Sequence, residues 1–394
     1  MTNCQDVTLR VRSTNHPADE TVKPARPEFR FGEGKISGVL SVFLGWLAVG
    51  GVLALRFPQY LSTPDARGVY PLPVLRLLID IVLFSALGLA IVSLMLSQRK
   101  SRGLLGMGLV ALAVLLGGSR VPLPAAGTLE RSPYLALDWF LLSLFGLALI
   151  FVPLERVFKR VDQRVFRKGW RTDLAHFGVS HLLVQITVFL TMLPAATFFR
   201  WAISESLQLA IATQPIWLQF IEALFVADLF AYLAHRAFHE IPLLWRFHQI
   251  HHSSEALDWL AGSRLHIVDI IVTRAFGFLP LYVLGFSQGA IAAYLTWASF
   301  QAVFIHSNVR FRFGPLRFLL ATPQYHHWHH SAVLYNKNFA VHLPLIDKLF
   351  GTCHLPKDEW PVEYGIRGSP VPDDYVKQIV YPLRNPDDPG AAGS

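Results

Sequence analysis

Eight apolar runs divide the chain, most of them close to the roughly 20 residues a helix needs to cross a bilayer. They are Ile36–Leu55, Leu77–Ser97, Leu104–Gly118, Leu135–Leu154, Leu174–Phe199, Ile216–Ala234, Ile267–Ser287 and Gln288–Ile305. Leu104–Gly118 is short but wholly apolar. Residues 1–35 are polar and mixed in charge and read as a disordered tail. A Pro-rich loop, "VPLPAAGTLERSP", separates the third and fourth runs, and after Arg310 the chain turns polar and aromatic. The pattern predicts an all-α integral membrane protein with about eight transmembrane helices and a soluble C-terminal segment.

Charge orients the spans. With the N-terminus inside, segments 1–35, 98–103 and 156–171 hold six, three and seven Lys and Arg. The outside loops 56–76, 119–134 and 200–215 hold three, two and one. Basic residues favour the cytosolic side, so both termini are expected to be cytosolic. The sixth run then returns inside just before His235, and the last two form a hairpin that leaves and returns. Most of the chain's histidines therefore gather at the cytosolic ends of helices.

Composition narrows the class. Residues are 53% hydrophobic and 16% charged, with mean hydropathy +0.39, against about 25% charged in soluble domains. The net charge of +8 fits basic loops beside anionic lipid and not a nucleic-acid partner. Cys4 and Cys353 are too few and too far apart for a disulfide framework or a cysteine metal site. The N-terminus lacks the apolar stretch of a signal peptide.

The chemistry is in the histidines. "HRAFH" places His235 and His239 at i and i+4, on one helix face. "HQIHH" holds His248, His251 and His252, and "HHWHH" repeats the same H-x-x-H-H in His326, His329 and His330. At about 100° per residue these three positions span an arc of roughly 100°, so the rings can share a centre. His327 lies off that arc and reads as a passenger. Eight imidazoles exceed what one metal takes and suit two metals with open positions. Imidazole ligates Fe, Zn, Cu and Ni alike, so spacing does not name the metal. Any one of these histidines read alone is a structural residue at a wet interface; three boxes of repeated spacing on one face are not. Asp228, seven positions before His235, shares its face and is expected to accept the second N–H of a ligating ring. Asp80, Asp269 and Arg274 lie near span ends and read as snorkelling side chains.

The boxes together resemble the fatty acid hydroxylase/sterol desaturase superfamily of membrane-bound, non-haem di-iron oxidases, in its bacterial branch. The likeness extends to "LWRFHQIHHSSEALDWLAGSRLH", "TPQYHHWHHS", "NKNFAVHLPLIDKLFGT", "FVPLERVF" and "GWRTDLAHF", covering roughly residues 135–355. It implies a catalytic domain over 131–356, additional N-terminal transmembrane helices over 36–130 and a cytosolic tail over 357–394. It also implies two iron ions, O2 and the hydroxylation or desaturation of a membrane lipid, such as a sterol or fatty acyl chain, in a bacterial inner membrane. Carried over by position, the metal ligands are His235, His239, His248, His251, His252, His306, His326, His329 and His330. His266 matches a histidine of the bacterial branch, as a ligand or a ligand's partner. Asn338 and Asp347 match family positions that support ligands. Asn336, Ala340 and Ile346 depart from the family pattern outside the boxes. The chain shows no dinucleotide fingerprint and no haem motif of a fused cytochrome b5, so electrons are expected from a separate ferredoxin, cytochrome b5 or reductase. Two alternatives are a non-redox metal-dependent lipid enzyme on the same framework and a metal transporter or sensor. A transporter would carry ionisable groups along the middle of several spans, and here they cluster at the ends.

Overall fold

The computed structural model of the chain describes residues 34–63, 71–122, 134–369 and 371–384. The expected polar tail 1–35 falls almost wholly outside them, as do most of the Pro-rich loop and the last ten positions. Among the described residues every regular element is a helix, apart from two isolated bridges, Lys159–Val309 and Ser331–Tyr364. The chain divides into two compact units, with the division between Leu144 and Phe145.

The first unit is built on α1 (Lys35–Arg56), α2 (Leu72–Leu96) and α3 (Ser101–Leu115). Its contact stripe on α1 is small: Gly38, Ser41, Gly45, Ala48, Val49 and Val52 are buried at spacings of three and four. The glycines let the backbones close up. A Cβ on Gly45 would lie 2.8 Å from the Cβ of Leu109, and one on Gly106 would collide with Ser41. Lipid is as apolar as leucine, so such close packing is what holds helices together in a bilayer. The outward faces carry Phe84 (74% exposed) and Leu115 (83% exposed), which water would not accept as a continuous surface.

The second unit takes in most of α4 (Leu137–Val157) and continues through α5 (Trp170–Leu182), α6 (Val184–Phe198) and α7 (Glu205–Ala212). Then come α8 (Ile216–Glu240), α9 (Pro242–His252), α10 (Ile267–Leu284) and α11 (Gln288–His306). Three short helices close it: α12 (Pro323–His329), α13 (Pro344–Leu349) and α14 (Tyr375–Val380). Helix α8 runs on past the expected end at Ala234 and carries both box-one histidines; Pro242, which cannot continue it, opens α9. Gly285, at φ 75°, ends α10, and Ser287 caps α11 by accepting from Ala290 N–H, which makes the expected hairpin. Ala223, Leu224, Ala227, Leu281 and Tyr294 fill the space between α8, α10 and α11.

Among the described residues six helices are long and apolar enough to cross a membrane: α1, α2, Ser101–Arg120, α4, α8 and α10. Two expected spans differ. Leu174–Phe199 is broken at Leu183 into α5 and α6, of 13 and 15 residues. In the last turn of α5, before the break, Ser180 Oγ and His181 Nδ1 both meet the carbonyl of Phe177, at 3.0 and 2.8 Å, competing with the helix ladder. Helix α11 has 19 residues but is less apolar, with Gln288, Tyr294, Trp297 and Gln301 along it, and is not among the six. Beyond residue 356 the chain packs back on the unit: Tyr364 reaches His327 and Gln378 reaches His176.

Candidate metal centre

Helix periodicity delivers the histidines in two directions. In each H-x-x-H-H box, i and i+4 stand about 40° apart, while i+3 stands about 60° to the other side of i. The expectation of one shared centre per box therefore needs correcting: each box divides between two adjacent groups. His235, His239, His248, His252 and His329 form one group, with ligand atoms all within 4.8 Å of one another. His251, His306, His326 and His330 form the other within the same limit. So the i, i+4 pair of α9 serves the five-histidine group and its i+3 residue the second. In α12 the assignment is reversed.

Backbone carbonyls and one carboxylate aim the rings. His235 Nδ1 faces the Phe339 carbonyl at 2.6 Å, His329 Nδ1 that of Lys337 at 2.8 Å, His306 Nδ1 that of Ala302 at 2.6 Å and His251 Nδ1 that of Arg264 at 3.2 Å. His248 Nδ1 faces Asp269 Oδ2 at 2.6 Å. An acceptor at Nδ1 fixes the proton there and leaves the Nε2 lone pair directed inward. In the second group, His306 Nε2 lies 3.3, 3.2 and 3.0 Å from Nε2 of His251, His330 and His326. His326 and His330 Nε2 are 3.1 Å apart.

Such converging lone pairs repel unless a cation lies between them. A first-row metal–imidazole bond of about 2.1 Å gives ligand–ligand edges of about 3.0 Å (octahedral) to 3.4 Å (tetrahedral), which brackets these separations. In the first group His235 and His248 Nε2 are 3.0 Å apart. His239 (both ring nitrogens), His252 Nε2 and His329 Nε2 are buried with no hydrogen-bond partner. Orphaned buried polar atoms are rare and need a reason, and a metal is one. Burial, and then repulsion from neighbouring rings, holds His252, His326 and His330 well below the ordinary imidazole range, so they stay neutral as ligands must. The all-nitrogen donor sets suit Fe, Zn, Cu or Ni.

Three supporting residues act one step further out than expected. Asp228 touches no ligand ring. Its carboxylate accepts the backbone N–H groups of Val341, His342 and Leu343, at 2.7–3.1 Å. Seven residues along α8 place it about 10 Å from His235 along the axis, beyond reach of that ring. Asp347 accepts from Phe339 and Ala340 N–H at 2.8 and 2.7 Å, from Thr352 Oγ1 and from the Tyr325 hydroxyl. Asn338, at φ 61°, donates to the carbonyls of Tyr325 and His354 and accepts from His354 N–H. Together the three hold the strap 337–343, whose carbonyls at Lys337 and Phe339 aim two ligands.

His266 lies outside both groups: its Nδ1 caps α10 at Val268 N–H and its Nε2 meets the Ile379 carbonyl at 3.0 Å. His327 also lies apart, buried between the Tyr364 hydroxyl (2.7 Å) and the Ser307 carbonyl (3.1 Å). Burial, reinforced by nearby Arg160, pushes it down to about 3.

Asp269, expected to snorkel, is instead buried against His248, 21 residues earlier. The available signal was an acid inside an apolar run. Sequence reasoning missed Gly262, where a Cβ would lie 2.7 Å from His306 Nδ1. A buried network of Arg167 with Asp173 and Asp258, and of Arg264 with Asp173, fixes the connector after box two. The structure thus gives Arg264 an ion-pair role.

The fatty acid hydroxylase family model matches residues 220–352, from α8 to just past α13. The ornithine lipid hydroxylase OlsE of Rhizobium tropici is 32% identical over 242 residues, 59% of this chain and 70% of that protein. The human alkylglycerol monooxygenase is 34% identical over 137 residues, 34% of this chain and 30% of its own. The zebrafish (Danio rerio) protein of that name is 28% identical over 212 residues, 50% of this chain and 46% of its own. The chain thus spans less than half of either alkylglycerol monooxygenase. No solved structure matches the chain.

Proposed function

The chain belongs to the fatty acid hydroxylase family and is an oxidoreductase of lipid metabolism, and from that premise we propose that it is an O2-dependent, non-haem di-iron hydroxylase of a polar membrane lipid. The observation that carries the reading is the pair of histidine groups, five and four, with one ring nitrogen of each residue within 4.8 Å of the others in its group. Hydroxylation is favoured over desaturation because the relatives above are named for hydroxylation and monooxygenation. A polar lipid, of which ornithine lipid is the first candidate, is favoured because the match to OlsE runs over 70% of that protein.

The residues that would hold the irons are His235, His239, His248, His252 and His329 in one group, and His251, His306, His326 and His330 in the other. Bound irons supply the activation of O2 towards an unactivated C–H bond, which no side chain performs. The chain's own part is to keep these imidazoles neutral, aimed and away from water. Asp269 and the carbonyls of Ala302, Arg264, Lys337 and Phe339 aim rings. Asp228, Asn338 and Asp347 support the strap. Trp245, tilted by 50°, and Tyr335, stacked, lie beside His239, the ligand that is only partly buried, with ring centroids 5.1 and 6.2 Å from it.

Around this core the reading assigns about eight membrane crossings, α5–α6 and α11 included, with both termini and the histidine groups on the cytosolic side of a bacterial inner membrane. The catalytic domain is 131–356 and the helices of 36–130 are an addition to it. Electrons come from a separate ferredoxin, cytochrome b5 or reductase. The test is comparative lipid mass spectrometry of cells with and without the gene, followed by O2 uptake with the purified, iron-loaded protein. A lipid 16 mass units heavier, formed only with O2, is expected. Turnover of lipid without O2 overturns the reading.

A further inference from the structure

The segment that follows α11 reads Arg310-Phe311-Arg312-Phe313-Gly314-Pro315-Leu316-Arg317-Phe318. Its opening alternates basic and aromatic residues, with Phe311 and Phe313 half-buried between more exposed arginines. Phe311 packs on Phe158 at 4.9 Å between centroids, and Phe313 on Phe304 at 5.9 Å. Arg310 and Arg312 are exposed. This segment folds against Lys357–Trp360 around a cavity of about 400 Å³. Arg310, Arg312, Arg317 and Lys357 line it, and Asp358 is the only carboxylate there.

Four cations against one acid make an uncompensated positive pocket. Among the described residues none of the four is ion-paired; Arg317 lies over the Phe318 ring at 4.8 Å. The pocket also has an apolar margin: Phe318, which lines it, is 45% exposed, and its sequence neighbours Leu316 and Leu319 are 53% and 59% exposed. The whole feature begins four residues after His306, at the end of a helix read above as a membrane span.

We infer that this pocket binds the phosphate group of an anionic membrane phospholipid. Guanidinium forks match phosphate oxygens in pairs, and lysine adds a point charge. The exposed leucines and phenylalanine beside them suit the acyl boundary just below a headgroup. A soluble anion would use the charges and leave the apolar margin unexplained. Thr322, which caps α12, and Gln324 of α12 form part of the wall. The lipid therefore sits against the helix that carries the third histidine box.

The experiment uses the full chain purified in phosphatidylcholine-containing micelles, with dioleoylphosphatidylglycerol as the probe and native mass spectrometry as the readout. Retention of phosphatidylglycerol over phosphatidylcholine is expected. A basic residue near an anionic surface contributes about fivefold to binding. Arg312→Gln combined with Lys357→Gln should therefore weaken retention roughly thirtyfold at unchanged metal content. Arg312→Lys should keep most of it, which separates loss of the site from loss of the fold. Equal retention by the double variant overturns the assignment. So does inorganic phosphate that displaces the lipid and stabilises the protein equally well, which would make this a soluble-anion site.

Discussion

Asp269→Ala tests the centre through a side chain that touches no metal. His248 Nδ1 and Asp269 Oδ2 are 2.6 Å apart, with the two side chains 4% and 3% exposed. Water cannot replace the lost acceptor at that burial. A hydrogen bond to a charged group contributes about 1.5–3 kcal/mol, or about 10- to 150-fold in an equilibrium constant. Loss of such a partner to a ligating imidazole costs about 10- to 100-fold in metal affinity or activity. The two estimates agree, and the expected loss lies in that range. Asp269→Asn keeps an acceptor for His248. Its amide can turn to Thr273 Oγ1, now 2.9 Å from the other carboxylate oxygen. The asparagine variant should therefore lose less than about tenfold. The assay is chelator competition on the purified, metal-loaded protein, with circular dichroism to confirm helicity. Wild-type affinity in the alanine variant, or equal damage from both, would refute the assignment of Asp269 as the residue that aims His248.

Replacing His326, His329 or His330 by alanine should strip metal, whereas His327→Gln should leave metal content near wild type; elemental analysis separates the two. The His327 variant should instead lower stability by about 1–3 kcal/mol, because a flexible amide does not reproduce the ring's simultaneous contacts with the Tyr364 hydroxyl and the buried Ser307 carbonyl. Gly262→Ala places a methyl 2.7 Å from His306 Nδ1, and ordinary contact begins at 3.4 Å, so the ring must move by about 0.7 Å. Metal content should fall from two towards one per chain, with the five-histidine group keeping its ion. Gly106→Val drives a side chain into Ser41 and should lower the thermal midpoint of the first unit by the equivalent of about 1–3 kcal/mol while sparing the metals.

How much of this is legible along the chain depends on which group carries the information. Side chains at helical spacing announce themselves: His235 with His239, and the two H-x-x-H-H boxes, point to metal before any fold is known. The break at Leu183 is fainter, because it comes from Ser180 and His181 competing for one carbonyl inside an otherwise apolar run. Asp269 is hidden by distance, since its partner lies on another helix. The carbonyls of Ala302, Arg264, Lys337 and Phe339 are not legible at all, since every residue has one. Asp228 was visible as a costly acid, yet its role was placed one step too close to the metal. Rise along the axis, and not the shared face, decides what a side chain seven residues away can reach.

The division of the boxes follows from the same geometry and has a structural consequence. The i, i+4 pair of α8, the i, i+4 pair of α9 and the i+3 residue of α12 make five. The i+3 residue of α9 and the i, i+4 pair of α12 make only three, and His306 from α11 completes the second group. Helices α9 and α12 therefore feed both groups, and a slip in either disturbs both at once. Helices α8 and α11 each feed one. The supports follow that division. Helix α9, at the middle, is held by Asp269 from α10 and by the Arg264 carbonyl at the end of a buried ion-pair network. Helix α12 is held by a Thr322 cap and by the strap that Asp228, Asn338 and Asp347 fix from three sides. The densest supports surround the two elements whose displacement would disturb both groups.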